Sequence, residues 1–109
     1  MERGKVYSFK EILEVLNALN EDIIIIPNYS KSLPRIRDKE IEVNGMSVKG
    51  VSKVVITKTD CDIGNNQKYH NVICKFLDTK NRVVTYQVLS KYSSITYKNG
   101  FFGDEFVIK

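Results

Sequence analysis

Both cysteines, the single histidine and two aspartates fall within one short stretch, Asp60-Cys61-Asp62-Ile63-Gly64-Asn65-Asn66-Gln67-Lys68-Tyr69-His70-Asn71-Val72-Ile73-Cys74. Side chains of these types bind metals or activate thiols, and each chemistry imposes a spacing. A calcium loop needs glycine at its sixth position and a bidentate acid at its twelfth. Counted from Asp60, the glycine comes fifth and the twelfth residue is Asn71, so the pattern fails. Zinc needs four converging ligands, or three and a water. Cys61, His70 and Cys74 fit no established zinc spacing. On a strand, His70 and Cys74 share a face but lie roughly 13 Å apart, at about 3.3 Å per residue.

A cysteine–histidine nucleophile wants a thiolate stabilised by its surroundings. Cys61 sits between two aspartates, which disfavour a thiolate. Cys74 alternates with Val72 and Phe76 and reads as a buried apolar thiol. A Cys61–Cys74 disulfide across a hairpin is open to geometry, but a reducing compartment argues against it. The stretch is therefore read as two strand ends around a solvated loop, with no metal and no catalytic role. Elsewhere the six glycines are scattered, with no phosphate-cradling loop, and no serine occupies a nucleophile elbow. Asp104-Glu105 and Glu40/Glu42 belong to solvated faces in so charged a chain. The expectation is a protein without cofactor that is not an enzyme.

The elements that would carry these residues are legible. In 7–20, Ser8 and Glu11 have the spacing of a capping box, and Tyr7 and Ile12 that of a hydrophobic staple. Phe9, Ile12, Leu13, Leu16 and Leu19 recur on one helical face, and Asn20 suits a left-handed stop. This predicts a helix over 8–19. Ile23-Ile24-Ile25-Ile26 predicts a strand buried on both faces and ended by Pro27. The segment 28–39 has no period and reads as an exposed loop. Asn44-Gly45 predicts a two-residue hairpin turn that sets Val43 against Met46 and Ile41 against Val48, with Glu40 opposite Lys49. Gly50 bends the chain into a further strand, and more follow at 69–77, 82–89, 94–98 and 104–108. Asn99-Gly100 signals another tight turn, and 90–94 a bend. The fold class is α+β in one domain, 1–109. One N-terminal amphipathic helix packs on a strongly twisted antiparallel sheet, or on a partly open small β-barrel of about six strands.

Composition excludes some classes. At 42% hydrophobic and 28% charged the chain is of globular type, and its longest apolar run is too short to span a bilayer. The opening residues lack the apolar core of a secretory signal, so a cytoplasmic protein with reduced thiols is expected. The net charge of +4 is uneven. Residues 82–100 hold Arg82, Lys91, Lys98, Tyr86, Tyr92 and Tyr97 without one acid, and 28–39 holds Tyr29, Lys31, Arg35 and Arg37. Cations interleaved with aromatics suit phosphates and stacked bases, or an acidic protein surface. Lys31, Arg35, Arg37, Arg82, Tyr86, Lys91, Tyr92, Tyr97 and Lys98 are the candidate binding residues.

Frequent Lys, Ile, Asn and Tyr point to an AT-rich genome. A compact domain of this kind without catalytic residues suits a phage or mobile-element accessory protein. The leading expectation is a small binding protein that inhibits a host defence protein, one that itself could handle nucleic acid. A nucleic-acid or nucleotide-binding module with a basic, tyrosine-rich sheet face is the alternative. A structural or assembly subunit, self-associating through the last strand as an open edge, is a further one. No membrane partner is expected, and homo-oligomers fit any of the three.

Overall fold

In the computed structural model, residues 1–29, 39–62, 68–101 and 103–109 are described, with backbone alone for 60–62 and 68–70. The order is β1 (Tyr7–Ser8), α1 (Phe9–Leu19), β2 (Ile23–Ile25), β3 (Ile41–Val43), β4 (Met46–Val48), β5 (Lys53–Asp62), β6 (Lys68–Leu77), β7 (Val83–Leu89), β8 (Ser94–Asn99) and β9 (Asp104–Ile108). The class is α+β. Two corrections apply to its architecture. The strands form two sheets, one of five in the order β1-β8-β9-β3-β4 and one of four in the order β2-β5-β6-β7, and they do not close into a barrel. There are also nine strands among the described residues against about six expected, and of these only the two-residue β1 lies outside the segments the sequence marks as extended. All pairings are antiparallel except β3 with β9.

The helix forms as its sequence dictates. Ser8 Oγ accepts from the amide of Glu11, and the Glu11 carboxylate accepts from the amide of Ser8. Asn20 closes the helix in the left-handed region at φ 52°. Ile12 and Leu16 are buried, with Phe9, Leu13 and Val15 partly so. Leu19 departs from the expected face and is exposed.

The Asn44-Gly45 turn has φ 50° and 80°, and its hairpin pairs Val43 with Met46 and Ile41 with Val48 as predicted. The Asn44 side chain also accepts from the amide of Ile108, and its own amide donates to Phe106 O, which ties the turn to β9. Glu40 is bonded to Ser47 Oγ. Gly50, at φ 79°, turns the chain from one sheet to the other.

Two strand expectations change. Ile23 and Ile25 are buried, but Ile24 and Ile26 are exposed, because β2 is an edge strand covered on one face only. The final strand β9 is no open edge. It lies in the middle of its sheet, between β8 and β3. Asn99-Gly100 also departs from a two-residue turn, since Asn99 pairs with Asp104 across a four-residue connection. Phe106 is buried while Phe101 is exposed; Phe102 lies outside the described residues.

The sheets share one core. Phe76 of β6 meets Phe106 of β9 edge to face at 5.4 Å, and Tyr97 of β8 stacks on Phe106 at 5.5 Å. Asp104, with no exposed surface, binds Arg3 through Nε at 3.1 Å and Nη2 at 2.6 Å, and accepts from the amide of Asn28 at 3.0 Å. A Cβ at Gly103 would come within 2.5 Å of Glu40 O and 2.9 Å of Asn28 O. Asp104→Ala should therefore lower the unfolding free energy by about 2 kcal/mol, because the amide of Asn28 loses its acceptor, while Arg3 is a third exposed and stays solvated. Gly103→Ala should cost roughly 1–3 kcal/mol through overpacking. Urea denaturation checks both.

Candidate binding surface

The stretch with the chemistry-bearing residues is the far end of the β5–β6 hairpin. Asp60 pairs with His70, Cys61 with Tyr69 and Asp62 with Lys68. β2 reaches only the Val54–Ile56 part of β5, and β7 only the Val72–Leu77 part of β6. The rungs from Thr59–Asn71 outward are thus a two-stranded ribbon standing beyond the sheet. His70 and Cys74 do lie on one strand, about 13 Å apart by the strand rise. Cys74 pairs with Ile56, five rungs from Cys61. That is roughly 16 Å, beyond the reach of a disulfide. Cys74 is free and buried, and burial pushes its thiol up to about 12.

The candidate binding residues scatter. Lys31, Arg35 and Arg37 lie outside the described residues. Tyr29, placed with them in the sequence reading, is half-buried against the core and donates its hydroxyl to Val51 O. Burial first, then the charge of Asp104, raises its phenol above the ordinary range. Tyr97 is a correction. Named among the candidate binding residues, it retains only 6% exposure, because its strand position faces Phe106 and its hydroxyl donates to Met1 O. The Arg3 guanidinium lies over its ring at 5.0 Å. Lys98 is exposed but pairs in register with Glu105.

Arg82 is exposed, yet its guanidinium is held by Asp78 at 2.9 Å. Asp78 also accepts from the amides of Arg82 and Lys80. These bonds, the Arg82 amide foremost, hold the Asp78 carboxyl below its usual range. Tyr92 is 85% exposed on the 90–93 turn, with the Lys91 ammonium over its ring at 5.1 Å. The acid-free segment of the sequence is thus less basic in space than in order.

What the fold does bring together is an apolar sheet face around Tyr86. Strand alternation turns Val54, Ile56, Val72, Cys74, Phe76 and Leu89 inward, where all are buried. The opposite rows, carrying Val55, Thr57, Ile73, Lys75, Tyr86 and Val88, turn outward. Tyr86 is 59% exposed and Val88 50%, with Ile24 on the same side. Lys75 stands directly across from Tyr86 in register. A bulge at Val84, where β6 advances one residue and β7 two, brings Val83 to this side as well. Ile73, Lys75, Val83 and Tyr86 line an open, mainly apolar depression of about 420 Å³.

The candidate binding residues named from the sequence include Tyr86 but neither Ile73 nor Lys75. Their signal was available, since they alternate with the buried Val72, Cys74 and Phe76. Among the described residues no group of His, Cys, Asp and Glu is arranged to hold a metal ion. No described helix is long and apolar enough to cross a membrane. No family model, curated protein or solved structure matches the chain.

Two solution properties follow. Cys74 should resist alkylation at pH 8 until the protein unfolds, as a thiol count with and without denaturant would show. Native Cys74 and Tyr29 hold their protons more tightly than the unfolded chain does. Their contribution to stability is therefore full below about pH 9 and is lost as pH rises toward about 12. Denaturant midpoints across that window should fall, and less so in Cys74→Ala.

Proposed function

We propose that this chain is a small non-enzymatic binding protein whose working surface is the outer face of the four-stranded sheet, centred on Tyr86. The observation that carries the reading is the exposure of Ile24, Val83, Val84, Tyr86 and Val88 on one sheet with no covering layer among the described residues. Contiguous exposed apolar surface of this kind marks interaction sites in soluble proteins. A tyrosine flanked by aliphatic side chains supplies large rigid contact area, the usual character of a binding hot spot.

Charge narrows the partner. Residues 23–25, 53–59, 71–77 and 83–89 contain no acid, while Lys53 and Lys75 border the apolar rows. The complementary surface is an apolar protein patch rimmed by carboxylates. Inhibition of a host defence protein, as a phage or mobile-element accessory would achieve, is the biological consequence we attach to such binding. Composition alone supports that step.

The nucleic-acid alternative draws on the same Tyr86 with Lys75 beside it. It loses Arg82 to Asp78 and Tyr97 to the core. The two readings separate on salt. Protein capture through an apolar face should change little with added salt, whereas phosphate binding should weaken steeply.

The test is capture from host lysate on the immobilised chain, followed by affinity measurement with the recovered protein. Tyr86→Ala should weaken binding at least tenfold, which is about 1.4 kcal/mol. Lys75→Glu should weaken it as well, while Lys98→Ala leaves it unchanged. Salt-steep binding of labelled DNA or RNA that is lost in Lys91→Ala would instead establish the alternative.

A further inference from the structure

We infer that two copies of this chain join through the free edge of β7, in an antiparallel two-fold pairing that fuses their four-stranded sheets into one continuous sheet. This goes beyond the partner-binding reading and does not rest on it. Edge pairing uses the backbone of β7 and leaves the outer face around Tyr86 open.

Among the described residues the two sheets have four outermost strands, and three of them are short. β1 has two residues, β2 and β4 three each. β7 has seven, Val-Val-Thr-Tyr-Gln-Val-Leu, and among the described residues pairs only with β6. Edge strands in soluble proteins are ordinarily short, or protected by lysine, proline or a bulge. β7 contains neither charge nor proline. Its one irregularity, the bulge at Val84, lies at the strand's beginning and leaves 85–89 regular. A row of unpaired amides and carbonyls between exposed valines and a tyrosine is a template for another strand.

The strand is suited to its own copy. When the regular run pairs antiparallel about Gln87, Tyr86 of one copy meets Val88 of the other on the outer face, and the reverse. Aromatic against β-branched is a favourable cross-strand pair. Gln87 meets Gln87 at the two-fold axis, where two amides can bond to each other. No ionised side chain falls within the paired run. The two Lys75 side chains stand one strand back from the seam on either side. They are therefore at least three strand spacings apart, about 14 Å, and well screened at physiological salt. The two-fold pairing uses the same edge of both copies, so this seam closes as a dimer and does not extend.

Sedimentation velocity of the full chain from about 5 to 500 μM tests this. A short strand seam is a small interface, so micromolar association is expected. The result expected is a monomer–dimer equilibrium with no larger species. Val88→Lys should weaken it at least tenfold while circular dichroism stays native, Val88 being half exposed.

Register is tested in a Cys61→Ser background under mild oxidation. Gln87→Cys should form an intermolecular disulfide, because facing Cα atoms are about 4.5–5.5 Å apart. Val83→Cys, whose copies would stand eight residues apart along the seam, should not. A monomer at every concentration would overturn the inference. So would a dimer unaffected by Val88→Lys, or a disulfide that forms as readily at position 83 as at 87.

Discussion

A carboxylate with no exposed surface must be matched where it lies, since desolvating an unpaired charge costs several kcal/mol. Asp104 meets that demand with groups from two distant parts of the chain. Arg3 brings the N-terminal segment, and Asn28 brings the exit of β2 from the four-stranded sheet. The amide of Asp104 returns a bond to Asn28 O at 2.9 Å. Because Asp104 begins the central strand of the five-stranded sheet, this cluster fastens one sheet to the other. Arg3 in turn lies over Tyr97, and Tyr97 stacks on Phe106. The polar clasp therefore sits directly on the aromatic centre of the core, and the close backbone approach it requires excludes a side chain at Gly103.

That clasp determines which surfaces are left over. With the sheets held together and sharing one core, their inner rows are spent on each other and on α1. The helix is eleven residues long and lies on the inner side, contacting β1 and β5. No described element crosses the outer face of β5, β6 and β7. Sheets in soluble domains are ordinarily hydrophobic on the covered face and polar on the open one. Here the open face keeps Ile24, Val55, Ile73, Tyr86 and Val88. The departure from that pattern is the physical basis for assigning binding to this surface, and the unprotected edge of β7 borders it.

The residues that looked most like chemistry illustrate how strand geometry disperses ligands. Three residues of ligand type within one stretch suggest convergence only while the backbone is unspecified. On an extended hairpin they are spread along its length, and each faces a cross-strand neighbour. The same geometry decides the fate of the tyrosines. Tyr86 and Tyr97 both lie mid-strand in the acid-free segment, but Tyr97 faces the aromatic core and Tyr86 faces away from it.

The sequence by itself determined the local elements: the capped helix, the Asn44-Gly45 hairpin with its register, and the positions of the later strands. These depend on interactions between residues close in the chain, namely side-chain caps, left-handed turn residues and period-two alternation. Charge balance and the failure of metal and nucleophile spacings were legible for the same reason. Tertiary structure alone decided that the strands divide into two sheets, that the last strand lies centrally in parallel with β3, and that β2 lies at an edge. It also decided which of two alternating strand faces is covered. Alternation gives two equivalent rows until a second layer arrives, so Tyr97 could not be told from Tyr86, nor Arg82 known to be held by Asp78 across a turn. Long-range pairing carries no local signature, and so the exposed apolar face became visible only once the sheets were assembled.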